Sequence, residues 1–422
     1  MADKFIINGN RELSGEVEVR GSKNAAGPVL AAVLLTDQEC IIDNLPLIED
    51  IKNTIEILKS LGVGIEWISE RKIKAKAENI DFQKMDFDRF SKARMSVLLV
   101  GSLIARFKNF KFPSPGGDKI GLRPISVHIK ALEKLGAKIE KNGDVYSVDR
   151  ENLIGKEIVL QEFSVTATEM LIMAAVLAEG KTIIKGAAAE PHVQDLIDML
   201  LKMGAKIKGS GNHIIEIEGV EKLRGAEHKI TPDYLEAGTF IVAGALTPGT
   251  VIIKNVNFDH LDLFLAKLED IGIKFEKGEN EIAVHYSPNL SAVKIQALPH
   301  PGFPTDLLPI IVTILTKAHG KSLIHDPLYE NRLGYVQELR KMGGDIEIVD
   351  PHRAFVFGPK ILKGLSIDSS DIRAGVSLII AGLMAEGQTT INNIFQIDRG
   401  YERIEERLQK LGADIKRIST NS

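Results

Sequence analysis

The sequence has a single cysteine, a single tryptophan and only 5% aromatic residues in 422 positions. One cysteine closes no intrachain disulfide, so the fold must rest on packing, and the chain suits a reducing, cytoplasmic setting. Cys40 stands in an apolar, strand-like run (ECIIDN) and reads as a core residue rather than a nucleophile. No apolar run reaches the ~20 residues of a membrane-spanning helix, so no membrane partner is expected. MADKFIINGN carries neither a basic stretch nor an apolar core, and reads as no signal peptide. Charge of one sign is also lacking: 53 basic against 57 acidic residues leave −4. That excludes a global field drawing nucleic acid, so any anionic ligand would be met by local clusters. No metal-ligand spacing appears, and neither a metal nor a cofactor is expected.

What the chain does have is repetition. Six stretches read almost alike: Leu58–Trp67, Leu132–Lys141, Leu200–Gly209, Leu268–Lys277, Leu339–Ile348 and Leu408–Arg417. Each has spaced apolar residues, then a glycine, then alternating apolar and charged positions. This predicts a helix ending at a glycine of positive φ, followed by a half-buried strand. The glycines, from Gly62 to Gly412, recur about every 70 residues. Upstream of them, Ala25–Asn44, Thr168–Gly186, Glu236–Asn255 and Arg373–Asn393 predict an apolar helix, a turn and a strand, with Arg94–Phe112 and Leu308–His325 as looser copies. The repeating unit is then helix, strand, helix, strand. Six such units suggest two α/β domains of three units each. Residues 3–20 alternate around Asn8-Gly9 and Ser14-Gly15 and predict a hairpin.

Several stretches interrupt the pattern with chemistry. Gly21-Ser22-Lys23-Asn24 turns into a helix, either as a solvated turn with an N-cap or as an anion seat made by free amides beside a lysine. Residues 112–124 form a long glycine-proline excursion carrying Asp118 and Arg123. Loops longer than a connection needs are commonly functional. As a proton donor Asp118 would need a raised pKa or apolar enclosure; otherwise it is a turn residue. Ser164-Val165-Thr166 is a hydroxyl-rich helix approach, and His228 to Asp233 marks a change of domain. Asp306 ends PHPGFPTD, either as an N-cap or as a functional acid. Arg332, Arg373 and Arg399 each stand near an expected helix start, where the dipole disfavours cations. Ion pairs with Asp371 or Asp398 would explain this, and an anionic ligand at converging helix ends explains it better.

GSKNAAGPVLAAVLL, the PGG-x-x-IG-x-RP loop, PHPGFPTD, ENR and IDRGYERIE closely resemble the UDP-N-acetylglucosamine 1-carboxyvinyltransferase family, the enolpyruvyl transferases of peptidoglycan synthesis. The resemblance runs from about residue 3 to residue 418. It implies a two-domain inverted α/β barrel, with residues 21–229 in one domain and residues 1–20 plus 230–422 in the other. It further implies an active site in the cleft between them. The implied partners are two small molecules, phosphoenolpyruvate and UDP-N-acetylglucosamine, with no nucleic acid and the oligomeric state left open. Enolpyruvate would pass to the sugar 3′-hydroxyl by addition and elimination, releasing phosphate. By matching motifs, Lys23, Arg123 and Arg399 resemble a phosphate and carboxylate clamp, with Arg332 and Arg373 beside it. Asp306 matches a base or hydroxyl-orienting residue, and Asp118 the proton donor. Asn24, Arg94, Pro124, Ile125, Ser126, Val127, Ser164, Val165, Leu328 and Asp371 fall at positions that resemble substrate contacts.

Four departures stand out. Most members carry cysteine where Asp118 stands, and the epoxide antibiotic fosfomycin alkylates that thiol, so this chain is expected to be insensitive. Ser126, Glu162 and Thr166 occupy places where many members have Asp, Lys and Gly. A uridine nucleotide other than UDP-N-acetylglucosamine is therefore an alternative acceptor. The shikimate-pathway transferase is a further rival, but Pro28 stands where that enzyme has an arginine. An inactive sugar-nucleotide-binding homologue is a third, against which stands the retention of Lys23, Asp306, Arg332, Arg373 and Arg399.

Overall fold

The computed structural model describes residues 3–117 and 123–419. The chain forms two compact units, one holding Gly21–Gly117 and Arg123–Thr231, the other the residues up to Arg20 and those from Pro232. The chain thus passes between units at Arg20–Gly21 and again at Thr231–Pro232.

At each of the six repeated glycines the backbone takes positive φ: 95° at Gly62, 114° at Gly136, 99° at Gly204, 97° at Gly272, 101° at Gly343 and 106° at Gly412. An L side chain is disfavoured there, which is why glycine recurs at the helix end. A strand follows each one within two residues, from Gly64–Ser69 to Asp414–Ile418. The expected apolar helices are Lys23–Ala32, Val97–Arg106 and Val165–Ala175 in one unit, and Tyr234–Leu246, Leu308–Leu315 and Ile372–Met384 in the other. Every residue of Tyr234–Leu246 and of Ile372–Met384 is buried, as suits helices that are apolar on most of their surface. These helices pack on one another within their own unit. Amphipathic helices such as Glu49–Ser60 and Pro191–Lys202 lie on one buried face.

Each sheet carries more strands than the two per repeat that the sequence pattern predicts. In the third, Lys181–Lys185 has Glu157–Val159 parallel on one side and Ile214–Glu218 antiparallel on the other, with Lys206–Lys208 beyond it. Returning strands such as Lys72–Lys76 and Arg353–Gly358 repeat this arrangement, giving five four-stranded sheets and one of three among the described residues.

The amino terminus corrects an expectation. Lys4–Asn8 and Gly15–Glu18 form no hairpin with each other. Lys4–Asn8 lies between Gln388–Asn392 and Asp414–Ile418, antiparallel to both, and completes the sixth sheet. Gly15–Glu18 runs parallel to Thr250–Lys254 and edges the fourth. A lone two-stranded hairpin is marginal in water, whereas each strand here joins a sheet with an apolar face. Cys40 lies buried in Glu39–Asp43, as expected of a core residue.

Candidate active site

In the unit from Gly21 to Thr231, the Ser22 hydroxyl caps the first apolar helix, accepting from Ala25 N at 3.3 Å. Lys23 opens that helix with its side chain only 10% exposed, and its Nζ sits 2.8 Å from Asp50 Oδ2. Asn24 beside it is half-buried. Arg94 pins the far end of the glycine-proline loop, with Nη1 donating to Arg123 O at 2.6 Å and Nη2 to Pro124 O at 3.2 Å. The loop leaves its strand through Gly117, where φ is 132° and an added Cβ would come within 2.9 Å of Arg94 Cβ. Asp118 lies outside the described residues.

Ile125 and Val127 are buried and Ser126 is exposed where the helix Ser126–Leu135 begins. Among the described residues no side chain caps that helix start, whose amides suit an acceptor. Ser164 caps the neighbouring helix Val165–Ala175, accepting from Ala167 N. Thr166 Oγ1 lies 2.8 Å from His128 Nε2, joining the two helix starts. Burial, then repulsion from Arg94 and Arg123, pushes the His128 pKa down to about 3, so the ring is neutral near pH 7. Glu162 is exposed on the approach to the second helix.

The other unit holds a second cluster. One oxygen of Asp306 accepts from Arg332 Nη2, the other from Arg373 Nε at 3.0 Å. Both guanidiniums are about 5% exposed or less. Burial works against their charges, but nearby acids, Asp306 foremost, outweigh it and hold both pKa values above the ordinary one. Asp306, left open by the sequence as an N-cap or a functional acid, is thus a counter-ion for two buried arginines. Asp371 does the capping, accepting from Arg373 N at 2.9 Å and Ala374 N at 3.0 Å. Leu328 is exposed, with its amide donating to the buried Asp326 at 2.9 Å. Asp326 also accepts from Thr305, the residue before Asp306.

Arg399 departs from its expected place. It stands at the C-terminal end of the short helix Phe395–Asp398, where the dipole suits a cation, and donates to Gln396 Oε1 at 2.8 Å. Asp398 pairs instead with Arg417, at 2.6 and 2.9 Å. Among the residues expected to bind substrate, Lys23, Asn24, Arg94, Arg123–Val127, Ser164 and Val165 fall in one unit. Asp306, Leu328, Arg332, Asp371, Arg373 and Arg399 fall in the other. Sequence reading missed Asp50, His128 and Asp326, whose partners lie far along the chain. Asp50 gave a faint signal, as an acid in the first turn of an amphipathic helix.

Comparison with known proteins sets this arrangement in a family. A family model described as EPSP synthase (3-phosphoshikimate 1-carboxyvinyltransferase) matches residues 7–408. The UDP-N-acetylglucosamine 1-carboxyvinyltransferase of Koribacter versatilis is 42% identical over 419 residues, 99% of this chain and 96% of that one. The UDP-N-acetylglucosamine 1-carboxyvinyltransferase 1 of Caldanaerobacter subterraneus is 42% identical over 417 residues, 99% and 100% of the two chains. Among solved structures, the enolpyruvyl transferase NikO of Streptomyces tendae superposes with a TM-score of 0.91 at 23% identity, covering both chains fully. An EPSP synthase of Acinetobacter baumannii reaches 0.77 at 20% identity, over 99% of this chain and 100% of that one. At those identities the likeness is one of fold, the two-domain α/β fold of enolpyruvyl transferases. With near-complete coverage at 42% identity, the chain belongs to the UDP-N-acetylglucosamine 1-carboxyvinyltransferase family of enolpyruvyl transferases.

Proposed function

We propose that this chain transfers the enolpyruvyl group of phosphoenolpyruvate to the 3′-hydroxyl of UDP-N-acetylglucosamine, releasing phosphate, as a step of peptidoglycan precursor synthesis. The observation that carries this reading is the Asp306 carboxylate held between two buried guanidiniums. A carboxylate fixed in this way can accept the sugar hydroxyl proton or orient the hydroxyl.

In the addition step the 3′-oxygen bonds to C2 of phosphoenolpyruvate while C3 gains a proton, supplied in this reading by Asp118. In the elimination step the C2–O bond to phosphate breaks, C3 loses a proton and the double bond returns. Phosphoenolpyruvate carries nearly three negative charges, which Lys23, Arg123 and Arg399 are suited to share; forked guanidiniums match carboxylate and phosphate oxygens. The uncapped start of Ser126–Leu135 beside Arg123 suits a diphosphate. Ser126, in place of the usual acid, takes a negative charge away from that helix start.

The test is a coupled assay for inorganic phosphate with phosphoenolpyruvate and UDP-N-acetylglucosamine, and with shikimate 3-phosphate or another uridine nucleotide as alternative acceptors. Phosphate release that requires UDP-N-acetylglucosamine supports the proposal; release only with another acceptor reassigns the substrate.

A further inference from the structure

The proposed chemistry depends on where Asp306 is held, and that depends on Arg373. Arg373 Nε donates to Asp306 Oδ2 at 3.0 Å, while Nη1 donates to the Tyr401 hydroxyl at 3.3 Å. Tyr401 is 2% exposed and also meets Thr239 Oγ1, 1% exposed, at 2.9 Å. The direction of that contact follows from counting protons. Thr239 has one hydroxyl hydrogen, and it goes to Leu235 O at 2.9 Å, one helical turn back. Between the two hydroxyls Tyr401 must therefore be the donor. Having given its only proton, the Tyr401 oxygen faces Arg373 solely as an acceptor.

The result is a chain of one polarity: Asp306 accepts from Arg373, which donates also to Tyr401, which donates to Thr239, which donates to the Leu235 carbonyl. Its far end is backbone of the fully buried helix Tyr234–Leu246, whose start Asp233 caps through Leu235 N and Glu236 N. The Arg373 guanidinium also lies 5.7 Å from the centre of the Tyr401 ring. Ring and hydroxyl thus hold the same cation in different ways, and of the two only the hydroxyl bond is directional.

We infer that Tyr401, anchored through Thr239, is a positioning residue that aims Arg373 and thereby fixes the Asp306 carboxylate for the transfer reaction. The inference rests on the transferase reading for its kinetic consequence, though not for its geometry.

Two measurements test it. In the full-length protein, Tyr401→Phe keeps the ring and removes only the hydroxyl, which accepts from Arg373 and donates to Thr239. Its kcat is expected to fall about 10-fold, the scale of one charge-assisted hydrogen bond, with KM for the sugar nucleotide within about twofold. Thr239→Val is expected to give a smaller fall, and the double variant to be no slower than Tyr401→Phe alone, since Thr239 acts only through Tyr401. Unchanged kcat in Tyr401→Phe, or multiplying effects in the double variant, would overturn the inference; a merely structural role would lower the melting temperature without this pattern.

The second measurement needs no substrate. A crystal structure of Tyr401→Phe is expected to show the Arg373 guanidinium turned, with Nε no longer on Asp306. An unmoved Arg373 overturns the positioning role even if the transferase assignment fails on its own assay.

Discussion

Lys23 and Asp50 form an ion pair in which Nζ lies 2.8 Å from Oδ2 and each side chain is only about a tenth exposed. A lysine expected to meet phosphate is thus already held by an acid 27 positions along the chain. Breaking such a pair from one side strands a charge, which typically costs about 3–5 kcal/mol. Asp50→Ala should therefore lower the unfolding free energy by roughly that amount. Phosphoenolpyruvate should then raise the melting temperature of the variant more than that of the wild type, because the anion takes the place of Asp50. Equal ligand-induced shifts in a thermal melt would mean that Lys23 does not meet the anion.

Asp306→Asn keeps the shape of the side chain and removes its charge. Turnover should fall about 10²-fold or more, the usual contribution of a positioned proton acceptor, while sugar-nucleotide affinity stays within a few-fold by calorimetry. Near-normal turnover would show that Asp306 serves only as counter-ion to Arg332 and Arg373.

The pair of buried groups His128 and Glu169 should bend the pH dependence of stability in opposite directions. His128 is held near 3 when folded and titrates near 6.5 when unfolded. Between those values the unfolded chain binds the extra proton, so stability falls as pH falls, by at most about 1.4 kcal/mol per pH unit from this residue. His128→Gln should flatten that acid limb in urea unfolding. Glu169 is fully buried, and burial together with Glu190 raises its pKa well above the usual value. Its folded form keeps a proton that the unfolded form loses, so stability falls as pH rises above about 4.5. Glu169→Gln should therefore gain more stability over wild type at pH 8 than at pH 5. The reverse order would contradict the burial argument.

These groups also show what the sequence could and could not disclose. The glycines from Gly62 to Gly412 were legible because a positive-φ helix end leaves a local mark. The returning strands are equally local, as in RKIKAK and NEIAVH, although the predicted helix-strand-helix-strand unit stops short of them. The pairing of Lys4–Asn8 with strands near residues 390 and 415 was invisible, since alternation says which face is buried and not which partner covers it. The site divides in the same way. Lys23, Asp306, Arg332 and Arg373 were named through motifs, while Asp50 is joined to Lys23, and Thr239 to Arg373 through Tyr401, only by tertiary contact.

Asp118 supports a chemical prediction from its residue type alone. A carboxylate is a poorer nucleophile toward an epoxide than a thiolate, so fosfomycin should leave the native protein active. Asp118→Cys should retain turnover and become subject to time-dependent inactivation, with the adduct mapped by mass spectrometry to the introduced thiol. A covalent adduct at Asp118 in the native protein would contradict this account of the loop.

The central claim is the transfer itself, and the most direct measurement mixes the purified protein with phosphoenolpyruvate and UDP-N-acetylglucosamine and follows inorganic phosphate. The account predicts one phosphate per enolpyruvyl-nucleotide formed, dependent on both substrates and reduced about 10²-fold or more in Asp306→Asn. No phosphate above background with UDP-N-acetylglucosamine, or release that proceeds equally well without it, would contradict the account.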